Sequence, residues 1–169
     1  MRPILKTMSE TIEYFAYGSN LSKEQMKNRG ITVIDTKIAE LPEWKLAFTI
    51  YSDTWKGGVG DIIPDSQKKV EGVVYTIPEE DLKHLDHYEG RKVQDNREVG
   101  MYRRQYLPLK KEDGWKTVLT YLVNRTLEHK SNIDLKPSKE YLETIISGAE
   151  KHGLSEEYLK RLRNIDYKK

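Results

Sequence analysis

Glu13-Tyr14-Phe15-Ala16-Tyr17 runs straight into Gly18-Ser19-Asn20-Leu21, and the reading of this stretch decides the fold. The first five residues read as a short buried strand, and Gly18-Ser19-Asn20 stops it. Ser22 and Gln25 then have the spacing of a capping box, which opens a short helix ended by Asn28-Arg29-Gly30. Outward from there, Ile31 to Leu41, Trp44 to Tyr51 and Val70 to Ile77 are rich in β-branched and aromatic residues. Pro42 and a loop from Ser52 to Asp61 separate them, so three strands are the economical reading. Pro78 suits the first turn of a helix running through Leu82 to Glu89, with Gly90 placed to close it. After a polar loop, Arg91 to Gly100, the segments Met101 to Leu109 and Trp115 to Val123 flank Lys111-Glu112-Asp113-Gly114, a β-hairpin signature. Ser138 caps a helix whose Tyr141, Leu142, Ile145, Ile146 and Ala149 form one apolar stripe stopped by Gly153. Ser155 caps a last helix carrying Tyr158, Leu159, Leu162 and Ile165. Strands fill the first two-thirds and helices the end without regular alternation, which predicts an α+β fold. Residues 1–12 are expected to be a loosely ordered N-terminal extension and 13–169 a single domain.

Composition narrows the chemistry. With 169 residues, 37% hydrophobic and 33% charged, the chain suits one core. Lys and Arg number 29 against 27 Asp and Glu, a net charge of +2, which argues against a nucleic-acid partner. No run approaches the roughly 18 apolar residues of a membrane span, and Met1 to Glu10 lacks the apolar core of a secretory signal, so a soluble cytoplasmic protein is expected. With no Cys, thiolate metal sites and a Cys nucleophile are excluded. Any enzyme must work with carboxylates, hydroxyls, His or backbone amides. Eleven Tyr against two Phe supply aromatic surface with polar handles, suited to a polar pocket or to an ordinary core.

Three segments could carry chemistry. At Tyr17-Gly18-Ser19-Asn20-Leu21, amides left free by a strand-to-helix turn could hold a carboxylate or phosphate; an ordinary capped turn fits equally well. Ser19 lacks both a nucleophile elbow and a placed His base. Trp55-Lys56-Gly57-Gly58-Val59-Gly60-Asp61 would let main chain approach a ligand, but it lacks the ending of a P-loop, and a tight connection between strands is the stronger reading. The third segment is the helix ending at Glu89. At about 100° per residue, Glu89 falls within roughly 20° of Leu82, on the apolar face that Leu85 shares. Burial and the negative end of the helix dipole both raise its pKa toward the range of a general acid/base. The competing readings are a solvated helix end and a carboxylate paired with an Arg. Asp86, at the margin of that face, could orient a partner or bind an amine. His84 and His87 project roughly opposite Glu89 and read as solvated, so no metal site is expected. The basic Lys160 to Arg163 run is interleaved with acids and reads as a solvated face.

Taken in order, Tyr14-Phe15-Ala16-Tyr17-Gly18-Ser19-Asn20-Leu21, Gly57-Gly58, Glu71-Gly72-Val73-Val74-Tyr75, Leu85-Asp86-His87-Tyr88-Glu89-Gly90 and Gly100-Met101-Tyr102 resemble the γ-glutamylcyclotransferase family. Tyr141, Gly148-Ala149, His152-Gly153-Leu154 and Tyr158-Leu159 resemble the C-terminal helical region of its larger members, so the resemblance covers nearly everything after Glu13. The resemblance implies a small mixed β-barrel with flanking helices. It also implies cofactor-free cleavage of γ-glutamyl amides to 5-oxoproline and a free amine. Glu89 corresponds to the catalytic glutamate, backbone amides of Gly18, Ser19, Asn20 and Leu21 would hold the glutamyl part, and Tyr17, Tyr102 and Tyr141 would line the pocket. The implied partner is a small-molecule γ-glutamyl substrate, and a homodimer is left open. The N-terminal extension and the long Arg91 to Val99 loop depart from the family pattern. If Arg91, Lys92 and Arg97 meet the carboxylate of a leaving amino acid, γ-glutamyl amino acids are preferred. The alternatives are a γ-glutamylamine cyclotransferase and a non-catalytic binding module for an acidic metabolite.

Overall fold

A computed structural model describes residues 10–111, 114–125 and 135–169. The strands are β1 (Thr11–Ala16), β2 (Asp35–Ser52), β3 (Gly57–Pro78), β4 (Val93–Gln94), β5 (Arg97–Glu98), β6 (Tyr102–Lys111) and β7 (Gly114–Val123). The helices are α1 (Lys23–Asn28), α2 (Leu82–Tyr88), α3 (Lys139–His152) and α4 (Glu156–Arg163), with single 3₁₀ turns at Ser19–Leu21 and Glu79–Asp81. Five strands form one sheet in the order β2-β3-β1-β7-β6, and β4 and β5 make a separate two-stranded ribbon inside the expected loop. β1 is antiparallel to β3 and parallel to β7, so the sheet is mixed and the fold α+β. β2 and β6 remain its edges, so the expected barrel does not close.

β1 is buried on both faces. Tyr14 and Ala16 join Val73, Tyr75 and Ile77 beneath Ile145, Leu159 and Leu162 of the helices. Phe15 and Tyr17 join Ile62, Val74, Leu107 and Leu122 on the other side. Alternation of side chains along a strand sorts them in this way.

Several expectations change. β1 begins at Thr11, which pairs with Pro78 while Ile12 pairs with Ile77, so the last residues assigned to the extension are strand; residues 1–9 lie outside the described residues. Three strands become two. Pro42 does not break β2, because an edge strand tolerates a missing N–H; a bulge with Glu43 at φ 68° absorbs the irregularity between Pro42 and Trp44. Gly57 to Asp61 are strand rather than loop, and a Cβ at Gly57 would lie 2.5 Å from the Ser138 nitrogen. The glycines there serve close approach of another backbone segment.

The hairpin forms in register from Tyr102 opposite Val123 to Lys111 opposite Gly114; Glu112 and Asp113 of its turn lie outside the described residues. The caps are as expected at Ser22, Ser138 and Ser155, which accept from the backbone nitrogens of Gln25, Tyr141 and Tyr158. Gln25 does not complete the capping box, since its side chain donates to Ser19 Oγ at 2.8 Å. Gly90 closes the helix that carries Glu89 in the left-handed region, φ 64°.

Candidate active site

The turn after β1 and the end of α2 meet below α3. Where β1 stops, Tyr17, Gly18, Ser19 and Asn20 line a small pocket together with Tyr14, Gly60, Glu89, Tyr102, Tyr121 and Tyr141. Of the catalytic and substrate-binding residues that the resemblance implies, only Leu21 is not in this lining. Its side chain is fully buried in the core, and its amide bonds back to the Gly18 carbonyl. A 3₁₀ turn consumes the amides at its end, so the outward donors reduce to the earlier part of the turn.

Glu89 is held at its Oε1 atom by Asn20, whose Nδ2 lies 3.1 Å away and also donates to Tyr14 Oη at 3.0 Å. Arg29 Nη1 donates to Asn20 Oδ1 at 2.9 Å and stands 3.7 Å from the same carboxylate oxygen. Glu89 Oε2 makes no hydrogen bond among the described residues. Burial pushes the carboxyl above its usual range, against the opposing pull of the Arg29 cation and the Asn20 hydrogen bond. Both competing sequence readings thus find an element here, since the group is mostly enclosed and has an Arg nearby. The Arg is at a distance, however, and one oxygen remains open.

The tyrosines surround this acid as neutral donors. Burial pushes the phenols of Tyr14, Tyr17, Tyr102 and Tyr141 well above their ordinary value. Gly60 organises two of them, donating its N–H to Tyr141 Oη at 2.8 Å and accepting from Tyr102 Oη at 2.5 Å. With the Gly60 amide on one lone pair, the Tyr141 hydroxyl keeps its proton free to donate into the cavity. Tyr17 Oη donates to the Tyr121 carbonyl at 2.6 Å, which fixes its ring against the foot of the pocket. In the sequence Tyr14 and Tyr121 have no site role, and Gly60 is offered only within a glycine-rich segment read more strongly as a connection between strands; the adjacency of β3, β1 and β7 brings them together.

A second, wider cleft adjoins the first and shares Ser19, Glu89, Tyr102 and Tyr141 with it. Its remaining walls include Arg29, Trp55, His87, Tyr88 and Met101. Arg91, Lys92 and Arg97 are not among them. Arg91 is spent on Glu98, at 2.7 Å, and on Asp86, at 3.2 Å. Asp86 is likewise occupied: it accepts from Tyr121 Oη at 2.7 Å, from Arg104 Nε at 3.0 Å and Nη2 at 2.5 Å, and from Arg91. It ties α2 to the hairpin and has no capacity left to bind an amine. Among the described residues no three His, Asp or Glu side chains are grouped to hold a metal ion.

The AIG2-like family model matches residues 69–162. The γ-glutamylcyclotransferase of Bos taurus is 32% identical over 166 residues, covering 94% of this chain and 82% of the relative. That of Homo sapiens is 32% identical over 162 residues, covering 93% and 80%. Among solved structures, a γ-glutamyl cyclotransferase with 30% identity superposes with a TM-score of 0.78, covering 94% of this chain and 90% of that one. The chain belongs to the γ-glutamylcyclotransferase family and is an enzyme of that type. No described helix is long and apolar enough to cross a membrane.

Proposed function

We propose that this enzyme cleaves γ-glutamyl amino acids by attack of the substrate's own α-amine on its γ-carbonyl carbon, releasing 5-oxoproline and a free amino acid. One observation carries the reading. Glu89 stands at the junction of two compartments, a small tyrosine-lined pocket and a wider cleft open to solvent. A proton that must pass from one half of the substrate to the other has its carrier between the halves.

The steps balance within the substrate and this one side chain. A new bond forms between the α-nitrogen and the γ-carbon, and the bond from that carbon to the leaving nitrogen breaks. Glu89 Oε2 takes a proton from the attacking nitrogen and delivers one to the departing nitrogen. Because nucleophile and electrophile belong to one molecule, folding the glutamyl chain supplies much of the rate. The Tyr141 hydroxyl and the free amides at Gly18 to Asn20 supply donors for the α-carboxylate or the developing oxyanion.

The leaving half rests on Arg29. Beyond its bond to Asn20 the guanidinium makes no hydrogen bond among the described residues, so donors remain for an incoming carboxylate in the outer cleft. This replaces the loop cations as the group that reads an amino acid. Trp55, Tyr88 and Met101, which would suit an alkyl chain, favour the second reading of a γ-glutamylamine substrate. A matched pair decides: γ-glutamylalanine and γ-glutamylethylamine differ only by one carboxylate. Assay of 5-oxoproline should give kcat/KM at least about tenfold higher for the first. Equal values would transfer the assignment to amines, and no product from either would remove the proposed reaction.

A further inference from the structure

Behind the substrate-facing turn lies a layer that touches no substrate. Along α3, Tyr141, Ile145, Gly148 and His152 fall on one face by helical spacing, and that face lies over residues 18–22. Gly148 permits the approach, since a Cβ there would lie 2.7 Å from the Leu21 carbonyl carbon and 2.8 Å from the Ser22 nitrogen. One turn further on, His152 Nε2 donates to the Leu21 carbonyl at 2.7 Å; a carbonyl only accepts, so this nitrogen carries the proton. The Tyr75 hydroxyl lies 3.0 Å from the same nitrogen, 2.8 Å from the Asn20 carbonyl and 3.1 Å from the Leu21 carbonyl. Tyr75 thus grips the backbone of Asn20 from behind, with His152 on the next carbonyl, while the Asn20 side chain grips Glu89 in front.

We infer that His152 and Tyr75 are positioning residues for Glu89, holding the Asn20 and Leu21 carbonyls so that the Asn20 amide meets the carboxylate. The inference rests on the proposed reaction for its consequence, but its structural content is independent of it. Without the grip, the turn is free to shift away from α3, and the Asn20 amide loses its place on Glu89 Oε1. That bond favours the ionised carboxylate, so losing it raises the pH at which Glu89 ionises. The charged and titratable groups around Glu89 are Arg29 from the end of α1, Tyr14 and Tyr17 from β1 and the residue after it, His87 and Tyr88 from α2, Tyr102 from β6, Tyr121 from β7 and Tyr141 from α3. None of them contacts His152, whose own neighbours are Tyr75 and Lys23.

The test uses Tyr75→Phe, His152→Ala and His152→Gln, the last retaining an N–H donor. The first two should lower kcat at least about tenfold. They should also move the acid limb of the kcat/KM profile upward by about half a pH unit or more. His152→Gln should recover most of both. Folded variants with wild-type rate, or with a reduced rate and an unmoved acid limb, would overturn the inference. The Glu89 carboxyl can also be titrated by isotope-edited infrared difference spectroscopy against Glu89→Gln, with no turnover required. If wild-type protein makes no 5-oxoproline, the proposed reaction fails alone, and an upward shift in this titration still supports the positioning role. An unshifted titration in Tyr75→Phe overturns it.

Discussion

Asn20 is the residue through which the site is assembled: one amide nitrogen spans Tyr14 and Glu89, its oxygen takes the Arg29 guanidinium, and its carbonyl takes Tyr75. In the sequence it looks like a turn residue, and nothing local distinguishes an Asn that caps a turn from one that holds an acid. Glu89 was legible because a carboxylate at an apolar helical position is an anomaly visible in one dimension. Its raised pKa has a consequence for stability. A group that binds its proton more tightly when folded supports folding below its unfolded pKa, and loses that support as the pH rises through the folded value. At pH 7 the ionised Glu89 therefore opposes folding. Glu89→Gln should raise the melting temperature at pH 7 by about 2–4 °C, with the gain shrinking toward pH 4. Thermal melts at both pH values check this, and a variant less stable than wild type at pH 7 contradicts it.

Between elements, Asp86 does the opposite work. Burial pushes its carboxyl up, but the hydrogen bonds from Arg104 and Tyr121 and the cations Arg104 and Arg91 outweigh this and hold it below the usual range. Its contribution is thus present above the unfolded pKa and lost as the pH falls through the folded one. Asp86→Asn should destabilise the protein at neutral pH by about 2 kcal/mol, discounted from a fully buried pair because these side chains keep some exposure. In denaturant titrations this penalty should fade with acidification below about pH 4; a penalty independent of pH would mean that packing rather than charge is lost. The contact of α3 with the turn gives a second expectation. Gly148→Ala forces a methyl against backbone, costing about 1–3 kcal/mol and weakening 5-oxoproline binding, as thermal melts and calorimetry would read. Unchanged stability and affinity would show that the turn yields freely. Serine caps, the hairpin and the helical stripes were legible because each is a local device. The long strands were not, since Pro42 and Gly57 to Gly60 carry breaker chemistry that only an edge position and a neighbouring backbone make compatible with a sheet.

For the molecule as a whole, the α+β class followed from element order, while the open edge did not, because whether β2 reaches β6 depends on twist and length rather than on any residue pattern. The site sits where β1 ends between β3 and β7, below a helix from the far end of the chain, so its members span residues 14 to 141. Burial of β1 and of Val73 to Ile77 in β3 places the slowest exchange there. Amide hydrogen exchange should protect these residues longest and the exposed Val93–Glu98 ribbon least; early exchange in β1 would contradict this account of the core. The central claim is that Glu89 carries the proton between two halves of one substrate. It is tested most directly by Glu89→Gln, measuring 5-oxoproline release from γ-glutamylalanine alongside calorimetric affinity for 5-oxoproline. The account predicts release reduced by at least about a thousandfold, with product affinity retained within a few fold. A Gln variant that keeps most of its turnover would contradict it.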